Sequence, residues 1–449
     1  MKRYIIVLLV GMLVLPSCSL YKKYESDATV DEKAMGDIVD SQDTTSIGDL
    51  NWRDVFTDPL LQQLIDTALA KNTDMRTTQL TIEQAQNSLK AAKWGYAPTF
   101  AFAPQATFTY QGGNNSNSVL IPVTASWQLG VFGQTRSQIR KSKSQLAYYQ
   151  DYRQAVQVSL AANVANIYYA LVMLDHELEL AKYFEGLYEE SYNSTQALYQ
   201  AGIYTSPAVY QMEASLEEVR IEIVDLENSI IATEASLCLL LAEPPHPIER
   251  AKFEDFQMPE QIHIGMPARL LDARPDVRMA ERNMEIAYYS TQQARQDFYP
   301  NITIGGLVGY TGTVDALDFI AQAVGELTQP IFQGGQLRAQ VRNAKKEQEK
   351  AELEFVQALY NAGSEVYTYL HDCETAAKKA ELIELRVNAL KEAFNATSDL
   401  MDNGSTTYLE VLTAQESLLS AEFTMVQNQY EMIQSLINLY SSLGGFDTK

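Results

Sequence analysis

The sequence predicts a mainly α-helical, internally duplicated chain whose two β-hairpins form a membrane β-barrel only when several copies join. Three observations predict this fold class. One unit occurs twice in the 449 residues at a constant offset of 202, two long proline-free stretches have helical periodicity, and two segments poor in charge have strand periodicity. Because 46% of the residues are hydrophobic and 20% are charged, the chain is too apolar to be disordered.

Residues 1–17 have the layout of a lipoprotein signal peptide. Lys2 and Arg3 precede an apolar stretch over 5–15, which is too short to span a bilayer. The following Leu-Pro-Ser before Cys18 resembles a bacterial lipobox, after which the cysteine becomes the lipidated first residue. The alternative is an ordinary signal peptide in which Cys18 has no role. We predict lipidation of Cys18 and an extended anchor segment over 18–55.

The internal duplication keeps its register without gaps. Four pairs of landmarks share the same offset: Asp74-Met75-Arg76 and Asp276-Val277-Arg278, Tyr96-Ala97-Pro98 and Phe298-Tyr299-Pro300, Gly133-Gln134-Thr135-Arg136 and Gly335-Gln336-Leu337-Arg338, and Gly202 and Gly404. Chance agreement would not keep one offset over so long a range, so each half carries the same elements in the same order. We predict a first repeat over 56–243, a linker over 244–265, a second repeat over 266–443 and a tail over 444–449.

Each repeat contains one helix of unusual length. Residues 134–201 and 336–403 lack proline and have apolar residues at spacings of three and four, so each predicts a helix about 100 Å long. Shorter helices are predicted over 206–243 and 406–443, and a third over 74–97 with its copy before the second strand region. End to end, the shorter helices of a repeat match the long one, which gives four rods per chain. The imperfect heptads indicate rods with neighbours on two sides, as in a cylinder.

Each repeat also contains one β-hairpin, over 98–131 and 300–332. The segment 94–135 includes no Asp, Glu, Lys or Arg, and bulky apolar residues alternate there with small polar ones. A soluble sheet could alternate in the same way, but its solvent face would carry charge. A strand of about 11 residues tilted by about 45° covers about 25 Å of hydrocarbon, so we predict transmembrane strands. We expect Asp315 and Asp318 in the outer loop, and Glu326 towards a lumen or at a strand end.

Four strands cannot close a barrel, and an open sheet edge cannot lie in lipid. The chain must therefore oligomerise. A dimer would give 8 strands around a filled interior, and a trimer would give 12 strands around a small lumen together with 12 helical rods. The predicted barrel-to-helix junctions are Pro98, Gly133, Arg136, Pro300, Gly335 and Arg338.

Charge and motifs exclude several functions. The 34 basic and 57 acidic residues argue against a nucleic acid partner, because phosphate binding requires a basic excess. The chain lacks G-x-S-x-G, H-E-x-x-H, a phosphate-binding loop and a paired C-x-x-C, and its four histidines are scattered. We expect no catalytic residues, no cofactor and no metal. We expect Cys238 and Cys373 to be free, partly buried thiols, with a bridge between adjacent rods as the alternative.

Several motifs, in this order, resemble the TolC-like outer membrane efflux factors, especially the lipoprotein branch that serves RND-type pumps. Residues 51–61 resemble the family's opening pattern of Trp, Phe and Asp-Pro-x-Leu. Arg274-Pro275-Asp276-Val277 resembles its R-P-D-V motif, and 327–335 resembles its exit from strand to helix. The resemblance covers about 51–443. It implies a homotrimer in the cell outer membrane, lipid-anchored, with a 12-stranded β-barrel continued by a long periplasmic helical barrel.

The resemblance also implies roles for the two helix-turn-helix tips. In the family these tips contact a periplasmic adaptor and form a closed iris, which assigns adaptor contact to Gly202, Thr205, Ser206, Gly404, Thr406 and Thr407. Glycine ends one helix and Ser or Thr caps the next, so these residues make tight turns whatever they touch. Thr413 stands where the family often has a gate aspartate, so Asp402, Glu410 and Leu412 are the other gate candidates. Ala208 replaces an acidic residue common in the first tip.

The leading hypothesis is the outer membrane channel of a tripartite efflux system, a passive exit duct for drugs or other small molecules. Its partners would be a periplasmic adaptor, an inner-membrane RND-type pump and outer membrane lipid. The alternatives are the duct of a type I protein secretion system, and a periplasmic coiled-coil spacer lipoprotein with soluble hairpins.

Overall fold

A computed structural model describes residues 23–24, 51–253, 274–313, 316–403 and 405–445. In chain order the elements are α1 (Trp52–Val55), α2 (Pro59–Lys71), α3 (Thr73–Trp94), β1 (Thr99–Phe102), β2 (Gln105–Gln111), β3 (Asn114–Leu129), α4 (Gln134–Gln200), α5 (Ser206–Leu240), α6 (Pro275–Gln296), β4 (Asn301–Thr313), β5 (Ala316–Thr328), α7 (Gln336–Asp402) and α8 (Tyr408–Ser442). The predicted signal peptide, Cys18, Asp315 and Gly404 lie outside the described residues.

The duplication is visible in the element bounds. The helix pairs α3 and α6, α4 and α7, and α5 and α8 all begin and end at the offset that the sequence landmarks share. The two long helices have 67 residues each, which corresponds to about 100 Å at 1.5 Å per residue. The predicted mainly α-helical, internally duplicated fold is therefore confirmed. The third helix of the first repeat ends at Trp94, before the predicted 97, because Gly95 begins a turn that leads into β1.

The strands form one antiparallel sheet in the order β1/β2, β3, β4, β5. Strands β1 and β2 pair with β3 in the same register, and the break between them lies at Ala103 and Pro104, where proline cannot donate to the ladder. Paired residue numbers total 225 in the first hairpin and 629 in the second, a difference of 404, which is twice the repeat offset. Both hairpins therefore share one register.

Two compact units divide the chain, and they do not coincide with the repeats. One contains 80–151 and 278–358, including the sheet, and the other contains the described parts of 51–79, 152–277 and 359–445. Each unit thus draws on both repeats. The large apolar clusters of buried side chains lie in the second unit, where α4, α5 and α8 pack together.

The opening motif of residues 51–61 is part of the buried core of the second unit. Trp52 and Phe56 are fully buried, and the Phe56 ring meets Tyr440 edge to face at 5.8 Å between centroids. Asp58 then caps α2 by accepting from the Leu60 backbone N–H at 2.8 Å, and Pro59 occupies the first turn, where no donor is needed. The motif is therefore explained by its structural role, because its residues start a helix and fill a core.

One helix among the described residues, Gln134–Gln200, is long and apolar enough to cross a bilayer by length and composition alone. Its most apolar window is 61% buried, as in a helix that packs inside a protein. This burial explains the apolar window without a membrane.

Candidate functional site

One face of the sheet is apolar and free of charge. Directly opposed residues of antiparallel strands point to the same face of the sheet. In this register, the even-numbered residues of β1, β2 and β4 therefore lie on the same face as the odd-numbered residues of β3 and β5. This face carries Phe100, Phe102, Phe108, Tyr110, Val123, Trp127, Ile304, Val308, Tyr310, Leu317, Phe319 and Leu327, all of them exposed. So wide an apolar surface needs an apolar environment.

The opposite face is polar and carries both charges of the described strands. Asp318 lies opposite Thr311, and Glu326 lies opposite Thr303. The expectation that Asp318 lies in the outer loop is wrong, because β5 already begins at Ala316 and pairs with β4 from there. Glu326 accepts a hydrogen bond from Thr328 Oγ1 at 2.9 Å. Both carboxylates therefore stand away from the face that would meet lipid, where a charge is costly.

Both outer strands of the sheet end without a partner in the described chain. β1/β2 pairs only with β3, and β5 pairs only with β4. Each edge presents a row of backbone N–H and C=O groups that must be paired before the sheet can enter lipid. The sheet is therefore incomplete as a single chain.

The two junctions between sheet and helices repeat one hydrogen bond. Trp127 Nε1 donates to the Tyr96 carbonyl at 2.9 Å, and at the equivalent positions of the second repeat Gln329 Nε2 donates to the Phe298 carbonyl at 3.0 Å. The rings of Phe132 and Tyr299 stack at 5.4 Å and join the two junctions.

The predicted junction residues lie next to these contacts. Gly133 and Gly335 have φ of 88° and 85°, which explains glycine at the start of each long helix. Pro98 and Pro300 immediately precede β1 and β4, and Arg136 and Arg338 lie exposed in the first turns of α4 and α7.

The structure brings the two helix tips into contact with each other. The rings of Tyr204 and Tyr408 meet edge to face at 5.6 Å, and Tyr408 Oη donates to Gln211 Oε1 at 3.3 Å. The sequence reasoning missed this pair, although a tyrosine beside each predicted turn was a visible signal. Gly202 has φ of 75° as expected for a glycine that ends a helix, and the 202–206 turn is exposed around Ile203 and Thr205.

The caps of the following helices differ from the expectation. Thr205 and Thr407 occupy the N-cap positions of α5 and α8, but neither side chain accepts a helix N–H. Their carbonyls instead accept from Ala208 and Glu410, at 3.1 Å in both cases. The Thr406 hydroxyl bonds the Glu410 carboxylate. The prediction of side-chain capping is therefore wrong, because backbone turns satisfy these donors.

The gate candidates differ in burial. Leu412 is fully buried in the apolar cluster of α4, α5 and α8, so its side chain packs inside the chain and does not line an open space. Glu410 and Thr413 are exposed, and the Thr413 hydroxyl donates to the Leu409 carbonyl at 2.8 Å. Asp402 is the last residue of α7. Ala208 is buried.

Helices α5 and α7 each carry an apolar stripe that the chain leaves uncovered. The exposed residues are Tyr210, Ile221, Val224, Ile231 and Leu239 on α5, and Leu353, Val356, Tyr360, Tyr367, Leu382, Leu385 and Leu400 on α7. At 100° per residue each set falls within about 80° of the helix circumference, on the side away from the buried face. Both helices are therefore apolar on two sides, as the imperfect heptads indicated.

The same positions are buried in the other repeat. Val224 and Ile231 are 63% and 65% exposed, whereas the equivalent Val426 and Ile433 of α8 are 0% and 3% exposed. On the long helices Tyr360 and Tyr367 are exposed, whereas the equivalent Val158 and Ala165 of α4 are buried. Within the chain α4 packs on α8, for example through Gln415 Nε2 donating to Ser191 Oγ at 2.9 Å. The equivalent surfaces of α7 and α5 stay exposed in the single chain.

The R-P-D-V motif places a buried arginine, paired with half-exposed carboxylates, at the start of α6. The Arg274 guanidinium binds Asp276 through two hydrogen bonds of 3.0 and 2.8 Å, Glu365 at 2.6 Å and the Ser442 carbonyl at 2.8 Å. Burial opposes ionisation of Asp276, but the hydrogen bonds and charge of Arg274 outweigh it and lower the pKa of Asp276. The motif thus joins α6, α7 and the end of α8.

An open groove of about 730 Å³ lies between α4, α5 and α8. Its walls include the carboxylates of Glu177, Glu218, Glu222 and Glu416. Burial and the charge of Glu222 raise the pKa of Glu177 to about 7. This is the most strongly shifted carboxyl group of the described helices.

Among the described residues, no group of three or more His, Cys, Asp or Glu side chains is arranged to hold a metal ion. Cys238 and Cys373 are free and buried, more deeply than expected. Cys238 Sγ lies 3.0 Å from His246 Nδ1. Neither thiol faces solvent.

Comparison with known protein families gives two matches in this chain. The model of the family described as outer membrane efflux protein matches residues 64–243 and 266–445. The two matches begin and end at the repeat offset, which confirms the duplication.

Comparisons with individual proteins agree. The chain is 24% identical to a toluene efflux pump outer membrane protein, TtgC of Pseudomonas putida, over 99% of this chain and 96% of the relative. It is also 24% identical to a probable outer membrane lipoprotein, SilC of Salmonella typhimurium, over 89% of each chain. Its fold is similar to the open state of the MtrE outer membrane channel of Neisseria gonorrhoeae, with a TM-score of 0.82, 26% identity and coverage of 95% of this chain and 97% of the other.

Proposed function

Because this chain belongs to the outer membrane efflux protein family, and is thus an outer membrane component of an efflux system, we propose that it works as a homotrimeric passive duct. The duct would take drugs or other small molecules from the periplasm through the outer membrane. The chain supplies no energy to this step, and we infer that it has no enzymatic activity.

The sheet carries this proposal. Its charge-free apolar face suits contact with lipid, its polar face suits a water-filled lumen, and its two open edges require partners. Each chain contributes four strand positions to the barrel, because β1 and β2 together occupy one position. Three copies therefore give a 12-stranded barrel with a lumen, whereas the 8-stranded barrel of a dimer would be filled by side chains.

The helices support the same assembly. The buried α4–α8 contact joins the first repeat to the second within one chain. Because α7 is the equivalent of α4 and α5 is the equivalent of α8, the duplication allows the same contact between copies. In it, α7 of one copy would pack on α5 of the next copy. It would cover both exposed apolar stripes and give a closed ring of 12 rods.

The partners follow from this arrangement. We propose that the exposed tips, with Gly202, Thr205 and Ser206 in the first and Thr406 and Thr407 in the second, contact a periplasmic adaptor that links the duct to an inner-membrane RND-type pump. Exposed backbone and hydroxyl groups at these turns can accept such a contact. Gly404 and the lipidation of Cys18, which would anchor the N-terminus in the outer membrane, belong to the proposal although they lie outside the described residues.

Three measurements test the duct. Purified protein in detergent should run as a trimer that becomes a monomer after boiling, and it should give single-channel conductance in planar bilayers. A cell that lacks the gene should lose resistance to exported compounds and regain it with the wild-type gene. A monomeric, non-conducting protein would instead favour the periplasmic spacer, and secretion of a protein substrate without drug export would favour the secretion duct.

A further inference from the structure

We propose that β5 of one copy pairs with β1 and β2 of the next in a register fixed by the duplication, in which the numbers of opposed residues total 431. This inference rests on the proposed function, because it describes the contact that closes the barrel. It specifies which side chains of two copies face each other.

The register follows from the pairing that the chain already makes between its repeats. Strands β3 and β4 pair from Val119 opposite Gly312 to Leu129 opposite Ile302, and the numbers of every pair total 431. Strand β5 is the second copy of β3, and β1/β2 is the first copy of β4. A β5 residue has the number of its β3 equivalent plus 202, and a β1 or β2 residue has the number of its β4 equivalent minus 202. A pair between β5 and β1/β2 therefore has the same total, 431, as the equivalent pair between β3 and β4.

The hairpins show that this transfer is valid within the strands. A single insertion or deletion in either repeat would break the relation between the two hairpin registers. The pair of Thr99 with Ser126 and the pair of Asn301 with Thr328 both lie at the helix ends of their hairpins. Both residue numbers of the second pair exceed those of the first by 202. The strand positions are therefore equivalent one by one.

The predicted register keeps the two faces of the sheet continuous. An odd total places odd residues of β5 opposite even residues of β2, and both sets belong to the apolar face. A slip of one residue would set the apolar face of one copy against the polar face of the next, which a membrane forbids. Slips of two residues are the competing registers.

The residues brought together are also matched in size. Ala323 and Ala321 of β5 come to lie opposite Phe108 and Tyr110 of the next copy. In the single chain these two aromatic side chains are 73% and 76% exposed. A small residue opposite each ring gives the ring room to lie across the neighbouring strand on the lipid side. On the polar face, Gln322 meets Thr109 of the next copy.

Paired cysteines in the full-length protein test the register. The variants Ala323→Cys with Phe108→Cys and Gln322→Cys with Thr109→Cys sample adjacent positions, so one of them is a pair without backbone hydrogen bonds, where opposed Cα atoms are about 4.5 Å apart. Each chain then holds one cysteine on each edge. Oxidation should give covalent dimers and trimers that survive boiling and disappear on reduction.

Two offset variants are the matched controls. Ala323→Cys with Ala106→Cys and Ala323→Cys with Tyr110→Cys shift the pair by two residues, to a Cα separation of about 7–8 Å. They should give at least about tenfold less covalent trimer, and the wild type with its buried Cys238 and Cys373 should give none.

The outcomes separate the two proposals. Efficient cross-linking by an offset pair, or by no pair in variants that still form heat-sensitive trimers, would overturn the register and leave the duct standing. Protein that is monomeric in every variant and in the wild type would overturn both the duct and the register.

Discussion

Alanine at Val224 and Ile231 of α5 tests whether the uncovered stripe is the contact between copies. The two side chains lose five methyl or methylene groups together, and about 65% of their surface is exposed in the single chain. At about 0.8 kcal/mol per buried group, the loss is about 2.5 kcal/mol for each contact between copies, or about 70-fold in its equilibrium constant. A trimer has three such contacts, so it loses about 8 kcal/mol in total.

The duplication supplies a control with the same residue types. Val426 and Ile433 occupy the equivalent positions of α8 but are buried inside the chain. Alanine there should lower the free energy of unfolding of the protomer, by about 2–5 kcal/mol for the isoleucine alone. The α5 variant should leave the unfolding of the monomer unchanged.

Sedimentation of purified protein in detergent over a dilution series measures the first effect, and denaturant unfolding measures the second. The α5 variant should dissociate at higher concentrations than the wild type. If it dissociates at the same concentration while retaining its fold, the stripe is not the contact between copies and the argument from the duplication fails.

Three further changes have defined outcomes. Because the pKa of Glu177 is raised to about 7, the folded chain holds this proton more tightly than the unfolded chain, and stability falls as the pH rises from about 4.5 through 7. Glu177→Gln should therefore raise the melting temperature at pH 8.5 and leave it nearly unchanged at pH 4.5; an equal shift at both would count against the burial argument. A Cβ on Gly309 would lie 2.1 Å from the Ile121 carbonyl oxygen, so Gly309→Ala should reduce the yield of heat-sensitive trimer on gels, whereas Gly305→Ala on the same strand, whose Cβ would come no closer than 3.8 Å to the Val324 carbonyl oxygen, should not. Asp318→Asn with Glu326→Gln should bring the potassium-to-chloride permeability ratio, measured from reversal potentials, from several-fold towards one, and an unchanged ratio would place these carboxylates outside the lumen.

Much of the fold could be predicted because its patterns are local and occur twice. The long helices follow from 3.6-residue periodicity without proline, and the strands from alternation without charge, so both repeats led to the same answer independently. The details that were wrong depend on single contacts. Asp318 lies in a strand because β5 pairs with β4 from Ala316 onwards, and the tip threonines do not cap their helices because their carbonyls serve the same donors.

By itself the sequence determined the elements and their duplication, because periodicity and charge are written along the chain, and it predicted that further copies are needed. It could not tell Val224 from Val426, since both lie in the same pattern of equivalent helices. Only the tertiary structure decided that one is exposed and the other buried. The reason is that a chain with two repeats makes the contact between its repeats once internally, through α4 and α8, and leaves the equivalent surfaces of α7 and α5 uncovered.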